Sequence, residues 1–379
     1  MKVEQMDWAE ATVNDLKPQS LHTINPQLVL LLGSTSMLKN PANLETIKIR
    51  YPNAWLLGCS TAGEIYKTHV YEDSLISTAI HFEHTRINGV RININETENS
   101  YDAGQKLAQA LDRDGLVHAF VLSDGLNVNG SDLVRGLSEH LPANVNVTGG
   151  LSGDGDRFNE TFVMLNSLPE KNTIALIGFY GDRLKVGYAS FGGWDPFGPE
   201  RLITRSNGNV LYELDGKSAL ELYKNYLGKH AGGLPATGLL FPLSIRTSPQ
   251  ETAVVRTILG IDDDLQSMIF AGDVPEGAYA RLMKANFDRL IDGAVDAAKS
   301  NYHSMGSASP ELAILISCVG RKMVLKQRIE EEVEAVQDEL GKSTVLTGFY
   351  SYGEISPFSQ GAKSELHNQT MTITTFREI

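Results

Sequence analysis

Three segments of the chain repeat one order of elements, which is an apolar strand, a polar or glycine-containing turn and then an amphipathic helix. The three apolar runs cover 28–33, 119–125 and 313–320. Short runs bounded by turn residues are typical of strands that helices bury on both faces. The helices predicted after them lie near 41–50, from Asp132 to His140, and in one long stretch that ends at Leu340. The repeat therefore predicts an α/β fold with mixed, largely buried sheets covered by helices.

Each predicted helix leads through a second strand into a glycine-rich loop. The loop of the first segment reads GCSTAGEI (58–65), and the loop of the third reads GFYSYGEI (348–355). The second segment has a looser variant, GGLSGDGD (149–156), with Asp154 and Asp156 as its acids. Glycine lets the backbone approach a neighbour closely, and open α/β sheets gather ligands at strand ends. We therefore interpret the loops as matching parts of a partial internal repeat.

The sequence changes character between the second and third segments, where short strand-like runs are separated by turn residues. One of these strands is predicted at Gly238–Ile245. A helix is predicted over Ser218–Leu227, where Gly228 ends it, and another over Glu276–Lys299. The change places a boundary near residue 215, so the chain is predicted to form two α/β domains.

Charge and cysteine content argue against several classes of protein. Forty-six acidic residues against 33 basic ones give a formal net charge of −13, which disfavours binding to the phosphate backbone of nucleic acids. No run reaches the roughly 18 to 20 apolar residues of a membrane helix, and the acidic N-terminus is unlike a secretory signal. Two cysteines, Cys59 and Cys318, fit a reducing compartment. We predict a cytoplasmic protein that binds neither nucleic acid nor membrane.

Common catalytic signatures do not fit the chain. GCSTAG has one residue too many for the G-x-S-x-G nucleophile elbow. The Gly-Lys-Ser triplets at Gly216 and Gly341 lack the earlier glycine of a phosphate-binding loop. No spacing of histidine, cysteine or carboxylate residues indicates a metal site. We predict that the protein is not an enzyme, and the alternative is an enzyme that uses Glu64 or Glu354 as acid–base.

Glu64 and Glu354 directly follow the glycine turns of the two GEI loops. A carboxylate there accepts hydrogen bonds from the amine or hydroxyl of a ligand, or it caps backbone amides and fixes its own loop. Tyr350 and Tyr352 make the second loop aromatic. Their rings offer a stacking surface to a ligand, or they pack against the adjoining helix. Both interpretations stay open for each pair.

Several motifs, taken in order, resemble the FIST family, whose two halves are called FIST N and FIST C. They are GCSTAGEI followed by YEDS (71–74), LYELDGKSAL (211–220), LFPL (240–243), SCVGR (317–321), GFYSYGEISPF (348–358) and ELHNQT (365–370). The resemblance covers the chain from about residue 26 to its end. It implies a FIST N ligand-sensing domain at 26–215 and a FIST C domain at 216–379, after an N-terminal extension at 1–25.

The resemblance implies a cytoplasmic small-ligand sensor of signal transduction that regulates a partner signalling protein, such as the histidine kinase of a two-component system. The chain is also similar in length and layout to a stand-alone branch of the family that carries haem and senses nitric oxide. That branch implies haem b as the cofactor. A FIST sensor of another small ligand, such as an amino acid, without haem is the alternative. Association into a homo-oligomer stays open.

The candidate ligand-binding residues lie in the glycine-rich loops, after the third apolar strand and in the ELHNQT motif. They are Gly58, Cys59, Ser60, Thr61, Gly63, Glu64, Gly149, Gly150, Ser152, Arg321, Tyr350, Tyr352, Gly353, Glu354 and Asn368. A histidine on the iron is the usual anchor of a haem sensor of this kind. The haem axial candidates are His69, His230 and His367, and apart from haem iron no metal is predicted.

Overall fold

The computed structural model describes residues 1–8, 24–248, 253–306, 308–358 and 361–379. Strands and helices alternate in the part of the chain before residue 181. Its elements are β1 Lys2–Asp7, β2 Leu28–Gly33, α1 Thr35–Leu38, α2 Pro41–Arg50, β3 Trp55–Ser60, β4 Glu64–Tyr66, β5 His69–Tyr71, β6 Leu75–His81, β7 Arg86–Asn93, a 3-10 turn Ile94–Glu96, α3 Ser100–Ala110, β8 Leu116–Ser123, α4 Gly130–His140, β9 Asn146–Leu151, β10 Val163–Leu165 and β11 Thr173–Tyr180.

The rest of the chain begins with many short strands and returns to the alternating pattern near its end. Its elements are β12 Leu184–Phe191, β13 Trp194–Asn207, β14 Val210–Leu214, β15 Lys217–Ser218, α5 Ala219–Leu227, 3-10 turns Gly228–Gly233 and Ala236–Leu240, β16 Leu243–Arg246, β17 Val254–Arg256, β18 Ile258–Asp262, β19 Ser267–Phe270, β20 Tyr279–Ala285, α6 Phe287–Ser304, β21 Leu312–Cys318, α7 Val319–Leu325, a 3-10 turn Lys326–Arg328, α8 Ile329–Leu340, β22 Val345–Ser351, β23 Gly353–Pro357, β24 Ser364–His367 and β25 Met371–Glu378.

Three sheets built from these strands share one arrangement. Their strand orders are β1-β6-β2-β3-β10, β24-β23-β9-β8-β11-β7 and β12-β25-β21-β22-β4-β5. Each sheet has a central parallel pair, which is β2–β3, β8–β9 or β21–β22. An antiparallel strand lies on either side of each pair. The predicted α/β fold with mixed, buried sheets is confirmed.

The three sheets exchange strands in a cycle. After β3 the chain crosses to pair as β4 with β22, so that Glu64 lies opposite Phe349. After β22 it crosses to pair as β23 with β9, and after β9 it crosses to pair as β10 with β3. Every glycine-rich loop is therefore the crossing between two sheets. The three segments are related by a threefold connectivity that the sequence shows only as a partial repeat.

Glycines allow the two strands of each parallel pair to lie close together. Gly58, Gly149 and Gly348 occupy the same register position in their three sheets. A Cβ atom added at any of them would lie 1.8–2.7 Å from a carbonyl oxygen of the neighbouring parallel strand. Because no side chain fits there, these glycines are needed for strand contact. All three glycines thus lie inside strands, which are β3, β9 and β22, before the turns that follow them.

A fourth sheet forms a β-rich module around its own core. Its strand order is β17-β16-β20-β13-β14-β19-β18, with β15 paired to β14. Helix α5 covers it with Leu220, Tyr223 and Leu227. Ser218 caps the start of α5 and Gly228 follows its last residue at φ +55°, so the predicted helix over Ser218–Leu227 is confirmed.

Two predicted helices are wrong in their bounds. The stretch 276–299 is a strand, β20, followed by α6, because Asn286 accepts a hydrogen bond from the backbone of Arg289 and starts a new helix there. The long helix that ends at Leu340 is broken after Leu325, where Lys326 adopts φ +50°. The strand predicted at 238–245 begins only at Leu243, after a 3-10 turn.

The predicted helices 41–50 and 132–140 match α2 and α4. Among the described residues, no helix has the length and apolar character needed to cross a membrane.

Candidate functional site

A cleft of about 600 Å³ lies between the first GEI loop and helix α7. One wall comes from residues 61–64, from Glu72 and Asp73, and from 155–157. The other wall is the face of α7 and the turn after it, with Val319, Lys322, Met323, Lys326 and Ile329. Both halves of the chain thus contribute to one cavity, whose volume is typical of small-molecule sites.

Acidic side chains predominate on the first wall and lysines on the second. Glu72, Asp73 and Asp156 lie on the first wall beside Arg157, whose Nε is 3.9 Å from the buried Asp154 carboxylate, and Lys322 and Lys326 lie on the second. Lys322 pairs with Glu72 at 2.5 Å across the cleft. Within the described ranges, Asp73, Asp156 and Lys326 take part in no ion pair. The cleft therefore presents unneutralised charge of both signs to a small molecule.

Two of these residues hold a left-handed backbone without being glycine. Asp73 has φ +55° and Lys326 has φ +50°. Such conformations are uncommon for a lysine and tend to gather at functional sites. Seven other non-glycine residues among those described also have a positive φ, so these two conformations shape the walls of the cleft and do not by themselves mark a binding site.

Glu64 lies at the floor of the cleft and is almost fully buried. Its Oε1 accepts a hydrogen bond from the Thr61 hydroxyl. Its Oε2 accepts from the backbone N–H of Ser74 at 3.3 Å and from the Ser74 hydroxyl at 2.6 Å. Burial raises the pKa of Glu64 to about 7, and these hydrogen bonds oppose that rise. The carboxyl group ties its loop to the start of β6.

Glu354 makes the same set of hydrogen bonds in the second GEI loop. Its Oε1 accepts from the Ser351 hydroxyl at 2.6 Å. Its Oε2 accepts from the N–H and hydroxyl of Thr370 at 3.2 and 3.0 Å. Burial raises the pKa of Glu354 to about 8. The matching donors show that both glutamates fix their loops, while Glu64 alone of the two also lines the cleft.

Arg321 and Tyr350 belong to a buried polar cluster beneath α7. The Arg321 guanidinium donates to Glu332 through Nε at 3.1 Å and Nη2 at 2.7 Å, and also to the carbonyl oxygens of Gly192 and Leu290. The Tyr350 hydroxyl donates to Glu332 at 2.7 Å. Because the Arg321 side chain has no solvent exposure, its charge is satisfied inside the protein.

The aromatic ring of Tyr352 packs inside the protein. Its hydroxyl donates to Asp154, and its ring stacks on Phe158 with centroids 4.6 Å apart. Gly153 approaches this ring closely, since an added Cβ would lie 3.3 Å from Tyr352 and 3.2 Å from Ala62. The three crossing loops thus meet at one point through Ala62, Gly153 and Tyr352.

Of the predicted ligand-binding residues, Thr61, Gly63 and Glu64 line the cleft. Cys59 is buried in β3, where burial raises the pKa of its thiol. The other members of the set lie elsewhere, in strands or in the buried clusters: Gly58, Ser60, Gly149, Gly150, Ser152, Arg321, Tyr350, Tyr352, Gly353, Glu354 and Asn368.

The sequence identified Asp156 as an acid of the second glycine-rich loop but not as a ligand-binding residue, and it did not identify Asp73, Lys322 or Lys326. Two sequence signals point to the last three. Asp73 lies inside the YEDS motif, and Lys322 and Lys326 are four residues apart just after the SCVGR motif.

None of the three candidate haem histidines lines the cleft. His69 is exposed and contacts Glu330 at 3.2 Å, although its neighbour Val70 lines the cavity. His230 is exposed in the β-rich module. His367 is buried against the Ser356 carbonyl, and burial lowers its pKa to about 4. A haem site needs an axial ligand facing an apolar cavity, so this charged cleft does not fit the group.

The described residues contain no group of three or more histidine, cysteine or carboxylate side chains placed to hold a metal ion.

Comparison with known proteins gives two family matches that together span most of the chain. The model of the FIST N domain matches residues 27–217, and the model of the FIST C domain matches residues 219–357. An uncharacterized protein of Methanocaldococcus jannaschii, MJ1623, is 24% identical over 337 residues, which are 80% of this chain and 62% of that protein. The chain thus spans about three fifths of the length of that relative.

Among solved structures, the cyanuric acid hydrolase of A. caulinodans matches 78% of this chain and 99% of its own at 12% identity. Its TM-score of 0.18 is too low to support an argument about fold or function. The FIST N match alone covers half of the sequence, and the FIST C match continues it. The chain belongs to the FIST family.

Proposed function

We propose that this protein is a sensor of signal transduction that binds a small ligand in the cleft between the first GEI loop and α7. The observation that carries the proposal is a cavity of about 600 Å³ with unpaired charges of opposite sign on its two walls. Since the walls come from the FIST N and FIST C halves, a bound ligand contacts both. A ligand that binds one arrangement of the two halves more tightly than another shifts the population toward that arrangement. A sensor requires such a shift.

The charge distribution favours a dipolar polar ligand of the amino-acid type. Its anionic group faces Lys326, and its cationic group faces the acidic side chains of the first wall, which are Glu72, Asp73 and Asp156. Val319, Met323 and Ile329 form an apolar strip on the α7 wall that accommodates an aliphatic portion.

A panel of amino acids tests this proposal by thermal shift and calorimetric titration. We expect at least one compound to raise the melting temperature of the wild type. Asp73→Asn and Lys326→Met each weaken its binding by roughly tenfold or more, because each removes a charge-assisted contact. Asp264→Asn and Lys342→Met are the matched controls, since both are exposed residues away from the cleft. Equal effects of the control and cleft substitutions would contradict the proposal.

The output of the sensor is a partner protein, for which we propose a histidine kinase. The support is membership in the FIST family. The test is the rate of kinase autophosphorylation with and without the protein, before and after a cleft ligand is added. A rate that responds to the protein but not to the ligand would show binding without sensing.

The haem-based nitric oxide sensor is a narrower form of the same function. The charged walls and the positions of His69, His230 and His367 do not support it. An absorbance spectrum recorded after addition of haem tests whether the protein binds this cofactor. A Soret band that shifts on addition of nitric oxide, and is lost in one histidine variant, would replace the polar-ligand proposal.

An enzyme that uses Glu64 or Glu354 as acid–base is less well supported. Both oxygens of each carboxyl group accept hydrogen bonds from the protein itself. Loss of a turnover in Glu64→Gln with the ligand affinity retained would revive this alternative.

A further inference from the structure

The ammonium group of Lys322 occupies a site on the opposite wall of the cleft. Its Nζ donates to the carbonyl oxygen of Ala62 at 2.7 Å and pairs with the Glu72 carboxylate at 2.5 Å. It also lies 6.0 Å from the centre of the Tyr350 ring. A carbonyl oxygen, a carboxylate and an aromatic ring are the groups that recognise a protonated amine.

Gly63 makes room for this ammonium group. A Cβ atom added at Gly63 would lie 2.8 Å from the Nζ of Lys322 and 3.3 Å from its Cε. The glycine has φ +138°, a conformation that residues with a side chain rarely adopt. The first GEI loop is therefore shaped around an amine, with its backbone turned toward it.

In the second GEI loop, the carbonyl oxygen at the equivalent position accepts a hydrogen bond from a permanently buried donor. The residue equivalent to Ala62 is Tyr352, two places before the glutamate, and its carbonyl oxygen accepts from the Asn368 side-chain amide at 3.2 Å. Asn368 is fully buried and is held by the backbone N–H of Thr257. Lys322 instead reaches into an open cleft, and its partner Glu72 is 71% exposed. The first carbonyl therefore has a partner that another amine can replace.

We propose that the Ala62 carbonyl oxygen and the Glu72 carboxylate, beside the buried ring of Tyr350, form a subsite for a protonated primary amine, which Lys322 occupies as an internal competitor until the amine of a ligand displaces it. Displacement frees α7 from the first GEI loop, because the Lys322 contacts join the two. The use of this subsite by a signalling ligand rests on the proposed function. The existence of the subsite rests only on the contacts that Lys322 makes.

Chemical rescue of a truncated lysine tests the subsite. Lys322→Ala removes Cγ, Cδ, Cε and Nζ, and n-propylammonium supplies the same four heavy atoms. We expect n-propylammonium chloride to raise the melting temperature of Lys322→Ala saturably by about 2 to 4 °C over equal sodium chloride. Wild type and the control Lys342→Ala, at an exposed lysine outside the cleft, show no saturable rise, and tetramethylammonium, which has no N–H to donate, rescues none of them. Lys322→Ser serves as a second truncated variant.

The double variant Lys322→Ala with Glu72→Gln locates the bound amine. Its affinity for n-propylammonium falls by roughly tenfold, because the carboxylate partner is gone. An equal response of all variants, or a response that Glu72→Gln leaves unchanged, overturns the subsite. The signalling ligand is not used, so a failed amino-acid screen together with a successful rescue would reject the proposed function and keep the subsite.

Discussion

The two glutamates of the GEI loops have matching burial and matching hydrogen-bond donors. Each is buried, and each accepts a hydrogen bond from the hydroxyl three positions earlier and from the N–H and hydroxyl of the residue just before β6 or β25. The sequence could identify the pair from the repeated octet. It could not choose between a ligand contact and a loop tie, because that choice depends on Ser74 and Thr370, which lie ten and sixteen residues further along.

Substitution of Glu354 separates its hydrogen bonds from its charge. Glu354→Gln keeps an acceptor and the side-chain volume, whereas Glu354→Ala leaves the donors of Ser351 and Thr370 unpaired in a cavity. We expect Glu354→Ala to lower the free energy of unfolding by about 2 to 4 kcal/mol, and Glu354→Gln by less. Urea denaturation measures both. Equal losses would show that the charge is the important feature.

The raised pKa values of Glu64 and Glu354 predict how stability depends on pH. Between pH 6.5 and 8 the native state retains protons on these groups that the unfolded chain, with ordinary glutamate pKa values, has released. The free energy of unfolding therefore falls as pH rises through this range. Glu354→Gln should flatten that fall by roughly 1 kcal/mol. An unchanged slope from pH 6.5 to 8 would mean that Glu354 is already ionised in the native state.

At the scale of elements, the parallel strand pairs were the easiest to predict. β2 and β21 are fully buried apolar runs, so the apolar pattern alone located them. β20 was missed because its residues, Tyr279–Ala285, also fit a helical apolar stripe that continues into α6. These residues form a strand because they pair with β13 and β16, and those partners are distant in sequence.

The close contact between the strands of a parallel pair predicts what happens when a side chain is added at its glycine. A Cβ at Gly348 would lie 1.8 Å from the carbonyl oxygen of Leu315, so Gly348→Ala must push β22 away from β21. We expect a loss of about 2 to 4 kcal/mol in the free energy of unfolding. Gly232→Ala is the control, because nothing lies within 4 Å of its added Cβ. Both are measured by urea denaturation, and similar midpoints for the two variants would refute this account of the glycine.

At the scale of the whole molecule, strands cross the predicted boundary at residue 215 in both directions. β4 and β12 pair with strands of the C-terminal part, and β23 pairs with β9 of the N-terminal part. The division into 26–215 and 216–379 therefore stays a prediction about sequence units. Each unit supplies edge strands to sheets of the other.

This exchange predicts that the units do not fold separately. Fragment 1–215 leaves β9 without β23, and fragment 216–379 leaves β22 without β4 and β25 without β12. We expect neither fragment alone to show cooperative thermal unfolding by circular dichroism, and an equimolar mixture to recover it. Cooperative unfolding of either isolated fragment near the full-length melting temperature would contradict the exchange.

The sequence by itself determined the α/β class, the matching GEI loops and the membership in the FIST family, because apolar runs, glycine positions and ordered motifs are local properties of the chain. Only the tertiary structure decided that the loops are crossings between sheets and that Asp73, Lys322 and Lys326 meet across one cleft. Strand pairing and ion pairs join residues more than two hundred positions apart, such as Glu64 with Phe349 and Glu72 with Lys322. No periodicity within either segment encodes such contacts, since their energy arises only when the chain has folded.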